Sequence, residues 1–163
     1  MQLIDFAEDS AFIDTNIFLY RYSNASLSGI CEDFLLRVQN GELIGLVNST
    51  VLNELLHKLI LAEVATLYNI RLHNVVRFVK HNPNVLSALT TPYEILDEIY
   101  DYEGLEILDS SIAVKKMHTY VKKYELLSSD AIHVATCKIY EIKNIATNDS
   151  DFERVDFLKV WKP

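Results

Sequence analysis

The stretch AFIDTNIFLY at residues 11–20 decides the fold. It opens with three apolar residues that end at Asp14, and Thr15 and Asn16 then lead into the mostly apolar residues 17–20. This order predicts a short strand, a tight turn and a helix. Asp14 is therefore expected at the carboxyl end of a strand.

The rest of the chain repeats this alternation of strand-like and helix-like segments. Further strands are predicted at residues 43–47, 105–108, 144–146 and 157–161. Helices are predicted at residues 28–40, after a cap at Ser49 or Thr50, at residues 70–81, after a cap at Thr91, and at residues 110–124 and 129–140. Because parallel strands need a crossover helix between them, we expect a Rossmann-like α/β fold with three layers, in which helices flank a largely parallel sheet.

Length and composition indicate a single domain. The chain has 163 residues, half of them apolar, and only 4 Gly and 3 Pro, so no linker is evident. Residues 1–10 contain no Lys or Arg, unlike a secretory signal, and no apolar run reaches the roughly 20 residues of a membrane span. We therefore expect a cytosolic protein that does not enter a membrane, with Cys31 and Cys137 as buried free thiols.

Four acidic residues are expected to meet at one rim of the sheet. Asp14 and Asp149 stand just past predicted strands, and Glu54 and Asp130 stand in the first turns of helices that start from the same rim, where such sheets bind ligands. Two charges about 5 Å apart repel by roughly 3 kcal/mol at an effective dielectric near 20, and a bound cation relieves this repulsion. An all-oxygen cluster suits Mg²⁺ or Mn²⁺, ions that commonly act on phosphates.

The net charge of −8 is unfavourable for binding nucleic acid, because Lys and Arg contacts supply most of the affinity for phosphate. A concentration of basic residues lies at Lys115, Lys116, Lys122 and Lys123, where each pair recurs seven residues later on one side of a helix. This pattern is more typical of a solvated helix face than of a phosphate-binding stripe. Both interpretations stay open.

These motifs resemble the PIN-domain family, and the resemblance runs from Phe12 to Phe152 in the order of the family's motifs. Residues 12–17 resemble the first motif, residues 49–56 the second, residues 127–136 the third and residues 147–152 the fourth. The resemblance implies a PIN-like fold whose metal-binding, catalytic acids are Asp14, Glu54, Asp130 and Asp149, with Asp151 either a fifth ligand or a structural residue. It also implies that Thr15, Asn16 and Thr147 hold carboxylates and waters in place by hydrogen bonds.

The resemblance further implies a Mg²⁺- or Mn²⁺-dependent ribonuclease, which hydrolyses RNA phosphodiester bonds and leaves a 5′-phosphate and a 3′-hydroxyl. A chain of this length is similar to the VapC toxins of toxin–antitoxin pairs, which implies a homodimer and a VapB-type antitoxin as partner. The negative charge fits a basic partner segment. A stand-alone PIN nuclease in RNA processing and a non-catalytic PIN-like module that binds RNA or protein are the alternatives.

Two other enzyme classes share parts of the pattern. Glu54 with His57, and Asp130 with His133, have the acid-to-histidine spacing of helix-bundle di-iron proteins, but the predicted strands oppose an all-helical bundle. We therefore expect both histidines to be packing residues. A haloacid-dehalogenase-like phosphatase would carry a second aspartate at Asn16, and Gly-rich phosphate loops are absent from the sequence.

Overall fold

A parallel sheet forms the centre of the molecule. The computed structural model describes residues 1–22 and 26–163, and within these ranges the strands are β1 (Ser10–Ile13), β2 (Ile44–Asn48), β3 (Leu105–Leu108), β4 (Asn144–Ala146) and β5 (Lys159–Trp161). They lie in the order β3-β2-β1-β4-β5, and each neighbouring pair is parallel. This arrangement confirms the predicted α/β fold.

Helices connect the strands and cover both faces of the sheet. They are α1 (Thr15–Arg21), α2 (Ser28–Gln39), α3 (Ser49–Leu67), α4 (Leu72–His81), α5 (Thr91–Tyr100), α6 (Ser111–Tyr124) and α7 (Ser128–Ile139), joined by short 3-10 helices at Leu3–Asp5, Pro83–Ala88 and Ser150–Arg154. The consecutive residues Ala11, Phe12 and Ile13 of β1 point to alternate faces, and all three are fully buried. Both faces are therefore covered, as the three-layer prediction requires.

The bounds that the sequence analysis gave differ from these by no more than two residues. The tight turn predicted at Thr15 and Asn16 is wrong, because these residues form the first turn of α1. The cap predicted for α3 is also wrong. Neither Ser49 nor Thr50 caps this helix. The cap is Asn48, the last residue of β2, whose Oδ1 accepts hydrogen bonds from the backbone N–H groups of Thr50 and Val51, both at 3.1 Å. Its Nδ2 donates to Thr136 Oγ1 of α7 at 3.0 Å. One buried amide thus fixes the start of α3 and ties it to α7.

The cap predicted for α5 is also wrong, although the helix begins where expected. Helical hydrogen bonding already starts at the carbonyl of Thr90, which accepts from the backbone N–H groups of Tyr93 and Glu94. Thr91 therefore lies inside the first turn. Its hydroxyl donates to Glu63 Oε1 of α3 at 3.3 Å instead of capping its own helix.

The strand order reverses at β1, which has β2 on one side and β4 on the other. In open α/β sheets, ligands bind at such a switch point, outside the carboxyl ends of the strands. Asp14 follows β1 directly, Thr147 follows β4, and α3 follows β2 without a gap. The backbone N–H of Asp14 donates to Ala146 O at 3.0 Å, which extends the pairing of β1 and β4 to the rim.

A second, smaller apolar core lies at the far end of α3. It is formed by Val64, Val75, Val85 and Leu89, which are all buried. These residues come from α3, from α4 and from the segment that leads to α5. The small core therefore fixes α4 against the second half of α3.

Two further expectations concern the cysteines and the membrane. Cys31 and Cys137 are both buried and free, as predicted. Among the described residues, no helix combines the length and the apolar character that crossing a bilayer requires.

We expect Asn48→Ala to lower the free energy of unfolding by about 1–3 kcal/mol, because it removes a helix cap and leaves Thr136 without its donor. Urea unfolding followed by circular dichroism measures this change. Asn53→Ala is the matched control, since Asn53 is exposed on the same helix. An equal effect of the two substitutions would contradict the role given to Asn48.

Candidate active site

Asp14 is the most buried of the candidate acids, with 7% of its surface exposed. Its Oδ2 accepts hydrogen bonds from Asn16 Nδ2 at 2.5 Å and from Thr147 Oγ1 at 2.6 Å. Burial raises the pKa of Asp14, while the hydrogen bond from Thr147 acts in the opposite direction. The carboxylate therefore has a fixed orientation, with one oxygen occupied by protein donors.

Asn16 and Thr147 also join the first motif to the fourth. Asn16 Nδ2 lies 3.1 Å from Thr147 Oγ1, and its Oδ1 accepts from the backbone N–H of Asn148 at 3.2 Å. Thr147 Oγ1 accepts in turn from the backbone N–H of Asp149 at 3.0 Å. The ends of β1 and β4, and the acids that follow them, are thus held as one unit.

Glu54 is positioned from α1. It lies in the second turn of α3, one turn later than predicted, because that helix begins immediately at Ser49. Thr15 Oγ1 lies 3.2 Å from Glu54 Oε2 and 3.4 Å from the carbonyl oxygen of Val51. The buried threonine therefore contacts a candidate acid, in the position that the resemblance implied.

Asp130 stands at the centre of the negative charge. In the part of the chain that the structure describes, Asp130, Asp149 and Asp151 form a group in which one carboxylate oxygen of each lies within 4.8 Å of the others. Burial, followed by repulsion from Asp14, Asp149, Glu54 and Asp151, raises the pKa of Asp130 to about 6. The four other predicted acids therefore all lie close enough to repel the charge of Asp130.

Asp149 and Asp151 have different surroundings. Asp149 lines the cavity and caps the 3-10 helix Ser150–Arg154, and its Oδ1 accepts from the backbone N–H of Asp151 at 2.8 Å. Asp151 instead pairs with Arg154, whose Nη2 lies 2.8 Å from Asp151 Oδ2. Asp149 thus faces the cavity, whereas the carboxylate of Asp151 is shared between the acidic group and an arginine.

The cavity between these acids has a volume of about 330 Å³. Its lining consists of Asp14, Asn16, Glu54, Lys58, Leu127, Ser128, Ser129, Asp130 and Asp149. The sequence analysis missed Lys58 and residues 127–129. Lys58 stands four residues after Glu54, a spacing that places both on one face of α3, so it was accessible to sequence reasoning. Its positive charge also lowers the pKa of Asp14.

The predicted basic stripe lies on α6, outside the lining of the cavity. Lys115, Lys116 and Lys122 are exposed. Lys123 is engaged, since its Nζ lies 3.1 Å from Asp156 Oδ2 and 2.7 Å from the hydroxyl of Tyr124. The stripe therefore offers fewer uncommitted charges than its sequence suggests.

The two histidines differ from each other. His133 packs as predicted, fully buried with its ring centroid 5.3 Å from that of Phe12. Neither of its ring nitrogens has a hydrogen-bond partner among residues 1–22 and 26–163. The packing prediction is wrong for His57, which is exposed on α3. The parallel sheet also contradicts the all-helical bundle that the di-iron reading requires.

Comparison with known proteins now bears on the site. The model of the PIN domain family matches residues 11–158. The chain belongs to the PIN domain family. Its PIN domain match contains all five candidate acids, from Asp14 to Asp151.

Two relatives from Methanocaldococcus jannaschii are similar in sequence to this PIN domain. Ribonuclease VapC2 is 33% identical over 162 residues, which cover 98% of this chain and 98% of the relative. Ribonuclease VapC6 is 47% identical over 70 residues, 42% of this chain and 46% of the relative.

Solved structures share the fold at low identity. One is a chain of VapBC2 from Rickettsia felis, in a crystal structure with a DNA fragment from the promoter of VapBC2. It has a TM-score of 0.54 and 18% identity, and the match covers 94% of this chain and 98% of that one. A chain of a toxin–antitoxin complex from Klebsiella pneumoniae has a TM-score of 0.52 and 16% identity, covering 91% and 95%. These likenesses support the PIN fold.

We expect Asp130→Asn to stabilise the metal-free protein, because it removes the charge that the other acids repel. A gain of about 1 kcal/mol corresponds to a rise in Tm of about 2–4 °C for a chain of this size. The folded-state pKa of about 6 lies above the ordinary 3.8, so between these values the wild type should lose more stability than the variant as pH rises. Thermal melts in EDTA at several pH values measure this. Asp33→Asn, an exposed site on α2, is the control, and a lower Tm for Asp130→Asn at neutral pH would contradict the repulsion.

We expect His133→Leu to make the protein more resistant to acid. Burial lowers the pKa of His133 from 6.5 to about 4, so the stability that its neutral form gives above pH 6.5 is lost as pH falls through about 4. The wild type should lose about 2 kcal/mol more than the variant between pH 7 and pH 5. Urea unfolding at both pH values tests this. The exposed His118 supplies the control His118→Gln, and identical pH profiles for wild type and His133→Leu would refute the prediction.

Proposed function

We propose that this chain is a Mg²⁺- or Mn²⁺-dependent ribonuclease that hydrolyses RNA phosphodiester bonds. The observation that carries the proposal is the convergence of Asp14, Glu54, Asp130 and Asp149 on one cavity at the carboxyl rim of a parallel sheet. Such a cavity occurs here in a chain of the PIN domain family, and a relative that is similar over its full length is named a ribonuclease.

The chemistry of the donors fits a hard divalent cation. The acids of the cavity offer only oxygen ligands. Burial and repulsion from the four other acids raise the pKa of Asp130, and a bound cation would counter both effects. We assign the metal to Asp14, Glu54, Asp130 and Asp149, with Asp151 as a further contributor. When bound, such an ion activates a water and stabilises charge on the phosphate.

The chain's own side chains orient the acids for this purpose. Asn16 and Thr147 bind one oxygen of Asp14 and leave the other free of them. The hydroxyl of Thr15 holds Glu54, and the backbone N–H of Asp151 holds one oxygen of Asp149. These hydrogen bonds restrict the orientation of each carboxylate before a metal binds, which lowers the entropy lost when the site is assembled.

We further propose that the chain is the toxin of a VapBC-type pair, a cytosolic homodimer held inactive by an antitoxin. The names of the relatives and the toxin–antitoxin complexes of similar fold support this role. The net charge of −8 favours a partner with a basic segment. A housekeeping nuclease of the same family is the alternative, and co-purification with the product of an adjacent short reading frame separates the two.

We expect wild-type protein to cleave a mixed RNA pool when Mn²⁺ is added. Removing a residue that only hydrogen-bonds to a metal ligand typically costs about 10–100-fold in activity, and Asp14→Asn should cost more because it removes a ligand itself. Cleavage is followed on denaturing gels, and the 5′-phosphate of the products is tested by labelling. The exposed Asp33→Asn variant should retain wild-type activity.

In the same assay, Asp149→Asn should lose more activity than Asp151→Asn, because only Asp149 lines the cavity. Two results would sink the catalytic proposal. One is equal cleavage by wild type and Asp14→Asn, and the other is a wild type that stays inert with both Mn²⁺ and Mg²⁺.

A further inference from the structure

The stretch of residues 64–93 contains no Asp or Glu, in a chain whose net charge is −8. It carries Arg71, Arg77 and Lys80, together with His73 and His81. The sequence analysis passed over it because its basic residues are not adjacent in sequence, as those of α6 are. They nevertheless form the second concentration of positive charge in the molecule.

Four of these five basic residues lie on one face of α4. His73, Arg77 and Lys80 follow one another at spacings of four and three residues, so they share a side of the helix. Val75, Phe78 and Val79 form its other side and pack into the small core. His73, Arg77, Lys80 and His81, which we call the α4 basic face, are all exposed.

The charges of the α4 basic face are not neutralised by the protein. Among the described residues, Arg77 and Lys80 take part in no ion pair within 4 Å, while Arg21, Lys123, Arg154, Lys159 and Lys162 each pair with an acid. His81 Nδ1 lies 2.7 Å from the backbone oxygen of Arg77, so this contact involves no acid. The face is therefore available to anions from solution.

Helix α4 packs on the same side of α3 as the acidic cavity, with its apolar side against α3 and its basic face turned to solvent. Glu54, Lys58, Leu61, Ala65 and Tyr68 follow one another at spacings of three or four residues, so they form one stripe along α3. Leu61 and Ala65 pack against the small core that holds α4, and the ring of Tyr68 lies 5.1 Å from that of Phe78. Leu61 is seven residues from Glu54, about 10 Å along the helix axis.

Lys58 stands between the cavity and α4 on this stripe. It is exposed and lines the cavity, where the other charged side chains are acids. An RNA strand with a phosphate in the cavity would meet Lys58 first and then, further along α3, the α4 basic face. A substrate phosphate needs such local cations, because the surface as a whole repels it.

We propose that Lys58 and the α4 basic face bind the sugar–phosphate backbone of single-stranded RNA, and so hold the strand that extends from the acidic cavity. This inference rests on the proposed function for the identity of the bound polymer. Evenly spaced, unpaired cations along a helix face suit repeated phosphates, and contacts to phosphate hold a strand without reading its sequence. The residues act as positioning residues for the cleaved strand.

The test measures RNA binding separately from cleavage. A fluorescently labelled, mixed-sequence single-stranded RNA is titrated with Asp14→Asn protein in Mg²⁺, over a series of salt concentrations, and the titration is repeated with wild type in EDTA. Adding Arg77→Gln and Lys80→Gln should weaken binding about tenfold and reduce the slope of log affinity against log salt by about 1.4. Lys58→Gln should reduce the slope by about 0.7. In the cleavage assay, the Arg77→Gln, Lys80→Gln pair is made in protein that keeps Asp14. There it should raise KM far more than it lowers kcat.

The matched control is Lys138→Gln with Lys143→Gln. It makes the same change in net charge with exposed lysines near the end of α7 and just before β4, away from the carboxyl rim. Affinity and slope should stay at their parental values. In proteins that keep Asp14, the rise in Tm on adding Mn²⁺ should be the same for the α4 pair, the control pair and the unsubstituted protein, which reports that the acidic site is intact. Lys58→Gln is left out of this comparison because Lys58 lines the cavity.

Three results would overturn the proposal. An equal loss in the α4 and control pairs would indicate a general effect of net charge, and a larger loss from Lys115→Gln with Lys116→Gln would assign the strand to α6. Unchanged RNA binding in the α4 pair would assign the face to another partner, such as an acidic protein. A wild type that does not cleave, combined with weaker RNA binding by the α4 pair, would refute the ribonuclease function but uphold the binding surface.

Discussion

Repulsion among the carboxylates at the carboxyl rim of the sheet is the constraint on which the rest of the structure depends. Two such charges about 5 Å apart cost roughly 3 kcal/mol, and four acids repel the charge of Asp130 here. The fold offsets this cost with a well-packed sheet, whose central strand β1 is fully buried from Ala11 to Ile13. Burial, together with repulsion from the other acids, raises the pKa of Asp130 to about 6. A site that is unfavourable when empty is one that a cation can stabilise.

The hydrogen bonds around Asp14 explain how the acids stay in place despite that repulsion. Thr147 and Asn16 bind the same oxygen of Asp14, and so they join the ends of β1 and β4 across the point where the strand order reverses. Asn48 does the corresponding work further along the rim, since its side chain caps α3 and contacts α7. The helices that carry Glu54 and Asp130 are therefore fixed to each other through a neutral, buried amide.

The sequence was sufficient to predict the strands, the helices and the acids, because hydrophobic periodicity and position after a strand are local properties. It was not sufficient for contacts between distant segments. Asn48 was passed over as a cap because Ser49 and Thr50 follow it and fit the same statistics. The ion pair of Asp151 with Arg154 and the packing of the His133 ring against Phe12 depend on where the side chains lie in the folded protein. The α4 basic face was missed because His73, Arg77 and Lys80 are separated in sequence and lie on one side only in the formed helix.

These features together divide the molecule by charge. The acids gather at one rim, where a parallel sheet brings strand ends together. In the part of the chain that the structure describes, unpaired cations lie at Lys58, on the helix that carries Glu54, and on α4, which packs against the second half of that helix. A chain with a net charge of −8 gains nothing from long-range attraction to nucleic acid, so binding must come from a few closely placed groups. The same negative surface attracts a basic protein segment. Overall charge thus favours a protein partner, while the local arrangement of Lys58, Arg77 and Lys80 favours a polynucleotide, and the two can be recognised by one small domain.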